Sequence, residues 1–123
     1  MATALVIDDD KAFRSKVKKL FKEIEVDVLE AEEAVQVIDI LMRGKSGIDV
    51  IILDIQIAEI DGRDIRDIIN GYAPNIPVIV SSVLPVSEQQ LKIPRARDYY
   101  SKASADSVLV NKVKKILGIP VSV

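Results

Sequence analysis

The sequence predicts an α/β fold in which a doubly wound, five-stranded parallel sheet is covered by five helices. Short apolar runs rich in β-branched residues alternate with segments whose apolar residues recur at helical spacing. The run at residues 48–57, IDVIILDIQI, is apolar on both faces, which is typical of a strand in the middle of a parallel sheet. Right-handed crossovers would then place the carboxyl ends of all five strands along one edge of that sheet.

The first half of the chain contains two strand-helix pairs. Residues 3–7 form an apolar run that stops at three consecutive acids, and Asp10 is a plausible N-cap for the helix that follows. That helix is predicted from apolar residues at helical spacing, namely Phe13, Val17, Leu20, Phe21 and Ile24. A second strand is expected at residues 26–30. The next helix is expected to end near Gly44 and Gly47. Its apolar face is expected to be formed by Ala34, Val35, Ile38, Leu41 and Met42.

The second half continues the same alternation after the strand that ends at Asp54. Asp61-Gly62 is a turn signal that can also begin a helix carrying Ile65, Ile68 and Ile69. The fourth strand is expected at residues 76–80, followed by Ser81 and Ser82. Prolines at 85 and 94 leave room for a fourth helix of about two turns. The fifth strand is expected at residues 98–101, and the last helix from about residue 105 or 106 to 117.

The composition limits the possible functions. The 123 residues fit one domain, and we expect a single domain over 1–123 without an output domain, because no repeat or linker interrupts the pattern. A net charge of -2 gives no reason to propose nucleic-acid binding. The absence of Cys and His excludes thiolate chemistry and any mechanism that needs an imidazole of this chain. Without a basic leader or a long apolar segment, the expected location is cytoplasmic, with no membrane contact.

Polar side chains follow four of the predicted strands. These are Asp8 and Asp9, Asp54, Ser82 and Lys102. Carboxylates gathered at one place repel one another unless a cation lies among them, and an all-oxygen ligand set favours Mg²⁺. A lysine and a hydroxyl beside such a metal suit a phosphoryl group. Taken alone, Asp54 could equally cap the loop that follows it, so the prediction depends on the whole set.

The ordered set of residues resembles the receiver domains of two-component response regulators, including the single-domain chemotaxis type. It consists of Asp8-Asp9, then Asp54 with Asp61-Gly62, then Ser82, then the sequence YYSK at 99–102. The resemblance covers the whole chain and implies a flavodoxin-like sheet of strand order 2-1-3-4-5. It also implies a domain that catalyses its own Mg²⁺-dependent phosphorylation and dephosphorylation, with no turnover of an independent substrate.

The resemblance also implies a role for each residue. Asp54 would be the phosphoacceptor and, with Asp9, would bind Mg²⁺, while Asp8 would act mostly through water and Gln56 through its backbone carbonyl. Ser82 would be the switch hydroxyl and Lys102 the cation that pairs with the phosphoryl oxygens. The aromatic ring whose rotamer reports the state would belong to Tyr99.

The implied partners are a histidine kinase or phosphotransfer protein as donor, and a downstream protein at the face formed by the fourth helix, the fifth strand and the fifth helix. The domain would be a monomer or a phosphorylation-dependent dimer.

Some positions depart from the family pattern: Ala58 and Ala103 stand where prolines are usual, and IPRARD replaces a small-residue stretch before the fifth strand. These departures keep open a receiver that acts as an interaction module independently of phosphorylation. A phosphatase built on Asp8 and Asp10 is disfavoured, because Ala12 stands where Thr or Val is expected.

Overall fold

The computed structural model describes residues 1–44, 47–60 and 62–121. Its strands are β1 (Ala2–Ile7), β2 (Val26–Ala31), β3 (Val50–Asp54), β4 (Val78–Ser82) and β5 (Asp98–Ser101). Its helices are α1 (Lys11–Lys22), α2 (Ala34–Gly44), α3 (Ile55–Ile60), α4 (Gly62–Tyr72), α5 (Val86–Lys92) and α6 (Asp106–Leu117).

The five strands form one parallel sheet in the order β2-β1-β3-β4-β5, which confirms the predicted fold. The register aligns the carboxyl ends of neighbouring strands. Ile7 of β1 lies opposite Leu53 of β3, and Asp54 lies opposite Ser81 of β4. Side chains just beyond β1, β3, β4 and β5 therefore meet at one edge of the sheet.

The sheet separates two apolar clusters, because successive side chains of a strand point to opposite faces. On one face, residues such as Leu5, Leu53 and Val80 pack with Val37 and Leu41 of α2. On the other face, β-strand residues pack with α1 and α6 in a cluster that includes Val6, Ile52, Ile79, Phe21 and Leu109. Every residue of β3 is buried, as its apolar run on both faces predicts.

The structure refines the predicted helices in two places. A short helix that the sequence did not predict, α3, begins directly after β3. The sequence indicated only a connection there that leads to the Asp61-Gly62 turn. Asp61 lies outside the described residues. The predicted apolar face of α2 is wrong at Val35 and Met42, which are 71% and 61% exposed. Leu41 is buried as predicted, and Val37, which the predicted face omitted, is buried as well.

The short helix expected between Pro85 and Pro94 is present as α5, whose seven residues amount to about two turns. A proline at its N-cap and another after its end account for its length, since a proline inside the helix would remove a backbone hydrogen bond.

Candidate functional site at the carboxyl edge of the sheet

A small polar cavity of about 160 Å³ lies at the carboxyl edge of the sheet. The carboxyl ends of β3 and β4 and the residues that follow β1, β3, β4 and β5 contribute to its lining, which comprises Asp8, Asp9, Asp10, Asp54, Gln56, Ser82, Val83 and Lys102. The parallel topology thus gathers in one place side chains that are far apart in the sequence.

Three carboxylates meet in this cavity. Asp8, Asp9 and Asp54 each offer an oxygen atom, and these oxygens all lie within 4.8 Å of one another. Asp8 and Asp54 are buried, whereas Asp9 is exposed at the mouth. The Asp8 Oδ1 atom accepts a hydrogen bond from the backbone N–H of Asp10 at 2.9 Å, which fixes the orientation of that carboxylate.

Lys102 brings the positive charge of the cavity. Its Nζ atom lies 2.7 Å from Oδ2 of Asp8 and 3.5 Å from Oδ1 of Asp54. The ammonium also lies 4.3 Å from the centre of the Phe13 ring, a cation–π distance. Its backbone N–H donates to the Ser82 carbonyl at 2.7 Å, so the ends of β4 and β5 hold it in place.

The electrostatics of the cavity follow from burial and from these contacts. Burial raises the pKa of the Asp54 carboxyl, the charge on Asp8 raises it further, and the attraction of Lys102 only partly offsets both. Burial by itself lowers the pKa of Lys102. The hydrogen bond and the charge attraction between Lys102 and Asp8, with a weaker attraction to Asp54, outweigh burial, so the pKa of Lys102 is raised. The site therefore holds a buried excess of negative charge with one firmly protonated cation.

The donor chemistry of the site fits a hard divalent cation. Its carboxylates supply only oxygen ligands, which suit Mg²⁺ better than softer metals, and the exposed position of Asp9 leaves the cavity open on that side. A bound cation would also relieve the repulsion that raises the pKa of Asp54.

The remaining predicted residues lie in or next to the cavity, in different environments. The Ser82 Oγ atom accepts a hydrogen bond from the backbone N–H of Leu84 at 3.1 Å, while Gln56 is exposed at the cavity wall. Asp10 also lines the cavity, but its carboxylate accepts from the N–H groups of Ala12 and Phe13 and so caps α1, as predicted.

Tyr99 lies apart from the cavity, inside the apolar cluster on one side of the sheet. Its ring is buried, and its hydroxyl donates to the Ile93 carbonyl at 2.6 Å and accepts from the Ala96 N–H at 3.1 Å. The hydroxyl therefore ties β5 to the turn that precedes it.

Sequence reasoning missed the roles of two residues near the site. Phe13 was assigned to the core of α1, and its apolar spacing gives no sign that its ring also contacts Lys102. Gln89 is completely buried in α5, where its amide donates to the carbonyls of Leu84 at 2.8 Å and Tyr100 at 3.0 Å. A glutamine in a short polar helix carries no sequence signal of burial, although here it joins the loop after Ser82 to β5.

The fold and the acidic cavity together define a flavodoxin-like α/β domain whose carboxyl edge carries a carboxylate cluster that could hold a metal ion. A family model of the response regulator receiver domain matches residues 4–114. The chain therefore belongs to the response regulator receiver domain family of two-component systems, as the resemblance indicated.

Individual relatives and solved structures are similar to this chain. The chain is 30% identical over 78 residues, 63% of its length, to the two-component response regulator ORR21 of Oryza sativa subsp. indica. It spans only 11% of the length of that relative. A signal receiver domain from Clostridium thermocellum is 28% identical with a TM-score of 0.76, covering 96% of this chain and 98% of that one. A two-component response regulator from Clostridium difficile shares the fold, with 24% identity and a TM-score of 0.82 over 96% and 97% of the two chains.

Within the described residues, none of the helices combines the length and the apolar character needed to cross a lipid bilayer.

Proposed function

We propose that this receiver domain accepts a phosphoryl group on Asp54 from a phosphohistidine of a partner histidine kinase or phosphotransfer protein. The observation that carries the proposal is the cavity itself, in which the buried Asp54 carboxylate lies beside two further carboxylates and within 3.5 Å of the Lys102 ammonium. A buried nucleophile beside a fixed cation is what phosphoryl transfer requires, because the protein mainly contributes positioning and charge stabilisation.

In the proposed reaction, a carboxylate oxygen of Asp54 attacks the phosphorus atom. The new O–P bond forms as the P–N bond to the donor imidazole breaks, and the electron pair of that bond stays on the imidazole nitrogen. Lys102 is placed to pair with the phosphoryl oxygens, and Phe13 keeps the ammonium over the cavity. Mg²⁺, held by Asp8, Asp9 and Asp54 with the Gln56 carbonyl, would supply further positive charge for those oxygens.

The acyl phosphate would then act as a switch. A new dianion next to Lys102 competes with Asp8 for the ammonium, and it offers an acceptor for the Ser82 hydroxyl. Ser82 Oγ already holds the Leu84 N–H, and Gln89 joins the Leu84 carbonyl to the Tyr100 carbonyl of β5. A movement of Ser82 would therefore be passed to α5 and to β5, the strand that carries Tyr99. A downstream protein would recognise the altered face of α5, β5 and α6.

The test is the intact mass of the protein after incubation with acetyl phosphate and Mg²⁺. We expect a single phosphoryl adduct that disappears when Mg²⁺ is omitted and in the Asp54→Ala variant. If no adduct forms, and beryllofluoride also fails to bind, the phosphorylation proposal is wrong. The departure of the IPRARD segment from the family pattern would then favour the second candidate, a docking module that works without phosphorylation.

A further inference from the structure

A second polar cavity, which the proposed phosphotransfer does not use, lies at the opposite edge of the sheet. Its volume is about 310 Å³, and it lies between α4, the segment leading into β4 and the turn leading into β5. Arg66 and Asn70 line it from one face of α4, since they are one helical turn apart. Arg95 and Arg97 line it from the turn before β5.

The lining of this cavity concentrates positive charge. Three arginines line it, and no carboxylate does so among the described residues. Within the described part of the chain, none of these arginines forms an ion pair. Asp98, the neighbour of Arg97 in the sequence, instead pairs with Lys112 at 3.0 Å. This local charge contrasts with the net charge of -2 for the whole chain.

The turn that carries two of the arginines is held firmly from the inside. The Tyr99 hydroxyl accepts from the Ala96 N–H and donates to the Ile93 carbonyl, and the Arg97 N–H donates to the Val78 carbonyl at 3.0 Å. Arg95 has a φ of 67°, in the left-handed region that a residue with a Cβ seldom occupies unless its surroundings impose it. The backbone at Arg95 and Arg97 is therefore held before any ligand arrives, which lowers the part of the entropy cost of binding that comes from ordering the turn.

We propose that this cavity binds a small phosphate-bearing molecule. The planar guanidinium group pairs with phosphate through two parallel hydrogen bonds, and three such groups suit a phosphoanion that carries more than one charge. The amides of Asn70 and Asn75 provide further donors and acceptors in the lining. The volume is at the lower end of the range for small-molecule sites, which fits a ligand the size of a mononucleotide.

The experiment is a titration of the whole chain with pyrophosphate in one arm and with ADP in the other. Binding is detected from the backbone amide NMR signals, in buffer freed of divalent metal. We expect saturable shift changes centred on α4, residues 74–78 and residues 95–97, with none centred on Asp54. Arg66→Gln and Arg97→Gln should each weaken binding roughly tenfold. Arg43→Gln is the matched control, because it removes the same charge from an exposed arginine on α2 that pairs with Asp39, and it should leave the affinity unchanged.

Tyr99→Phe gives a second, independent test, because it removes the hydroxyl that holds the turn while keeping the ring. We expect it to weaken pyrophosphate binding without abolishing it. Tighter binding of ADP than of pyrophosphate would support a nucleotide ligand, and equal binding would support recognition of the phosphates alone. Titrations that do not saturate, or a loss in Arg43→Gln equal to that in Arg97→Gln, would overturn the proposal. Failure of this proposal leaves phosphorylation of Asp54 untouched, since the two cavities share no lining residue.

Discussion

Asp54 combines two properties that oppose each other, a buried position and a negative charge. Its side chain is almost fully enclosed, yet the proposed reaction needs its carboxylate ionised. Asp8 adds repulsion, and Lys102 compensates only partly, since it lies nearer to Asp8. The ionised Asp54 carboxylate thus destabilises the fold but favours reaction with an electrophile.

We predict that Asp54→Asn stabilises the metal-free protein at neutral pH. The folded-state pKa of Asp54 is raised above its ordinary value of 3.8, so the folded state binds the proton more tightly than the unfolded chain does. The stability of the wild type must therefore fall as the pH rises from the ordinary value through the raised one. Each unit of that shift corresponds to about 1.4 kcal/mol, and the amide has no proton to lose.

The measurement is urea unfolding of both proteins from acidic to neutral pH, in the presence of a chelator. The advantage of Asp54→Asn should shrink as the pH falls through the raised pKa and vanish below 3.8. Asp27→Asn makes the same chemical change at an exposed position of β2 and should shift stability by less than about 0.5 kcal/mol. A less stable Asp54→Asn at neutral pH would mean that the attraction of Lys102 outweighs burial.

At the scale of the elements, the end of α1 shows how local backbone geometry limits stability. The helix ends at Lys22 and the chain then turns through residues 23–25 into β2. Glu25 has a φ of 59° in that turn, whereas Glu23, the C-cap, has a right-handed φ of -66°. Glycine is the residue that usually occupies the left-handed position after a helix, because it has no Cβ to clash with the backbone.

We predict that Glu25→Gly raises the free energy of unfolding by about 0.5–1 kcal/mol, since relief of the left-handed strain exceeds the added flexibility of the unfolded chain. Glu23→Gly is the matched control. It removes the same side chain and charge at a right-handed position, so it should lower the free energy of unfolding by about 0.5–1 kcal/mol. Urea unfolding of the two variants measures both effects, and changes of the same sign would contradict the role given to φ.

The elements also show which parts of the structure could be predicted from the sequence. The strands β1, β3 and β4 were predicted because each is a short apolar run followed by polar residues, and the parallel order then places Asp8, Asp54 and Lys102 together. The helix α3 was not separated from β3, because the run IDVIILDIQI has no break at the point where the backbone changes from strand to helix. The face of α2 was wrong at Val35 and Met42 because apolar residues surround much of the helix. The contacts of Phe13, Gln89 and the Tyr99 hydroxyl depend on how the elements pack in three dimensions, which spacing along the chain does not encode.

At the scale of the whole molecule, the proposed metal site joins parts of the chain that only the complete sheet brings together. Asp8 and Asp9 follow β1, and Asp54 ends β3, with some 45 residues between them. The unfolded chain cannot present these carboxylates within 4.8 Å of one another, so a cation that binds them binds the folded state alone. Binding must then stabilise the entire domain by mass action.

We predict that Mg²⁺ at ten times its dissociation constant raises the free energy of unfolding by about 1.4 kcal/mol, in a single cooperative transition. Asp9→Asn should abolish most of this increase, because it removes a ligand at the exposed mouth of the cavity. Asp10→Asn is the informative control, because it removes the same charge from the neighbouring residue, which lines the same cavity. The Asp10 side chain caps α1, and asparagine fills that role equally well. Thermal or urea unfolding with and without Mg²⁺ should therefore show the increase in the wild type and in Asp10→Asn but not in Asp9→Asn. If both variants lose it equally, the cavity attracts the cation only through its summed negative charge, and Asp9 is not a ligand.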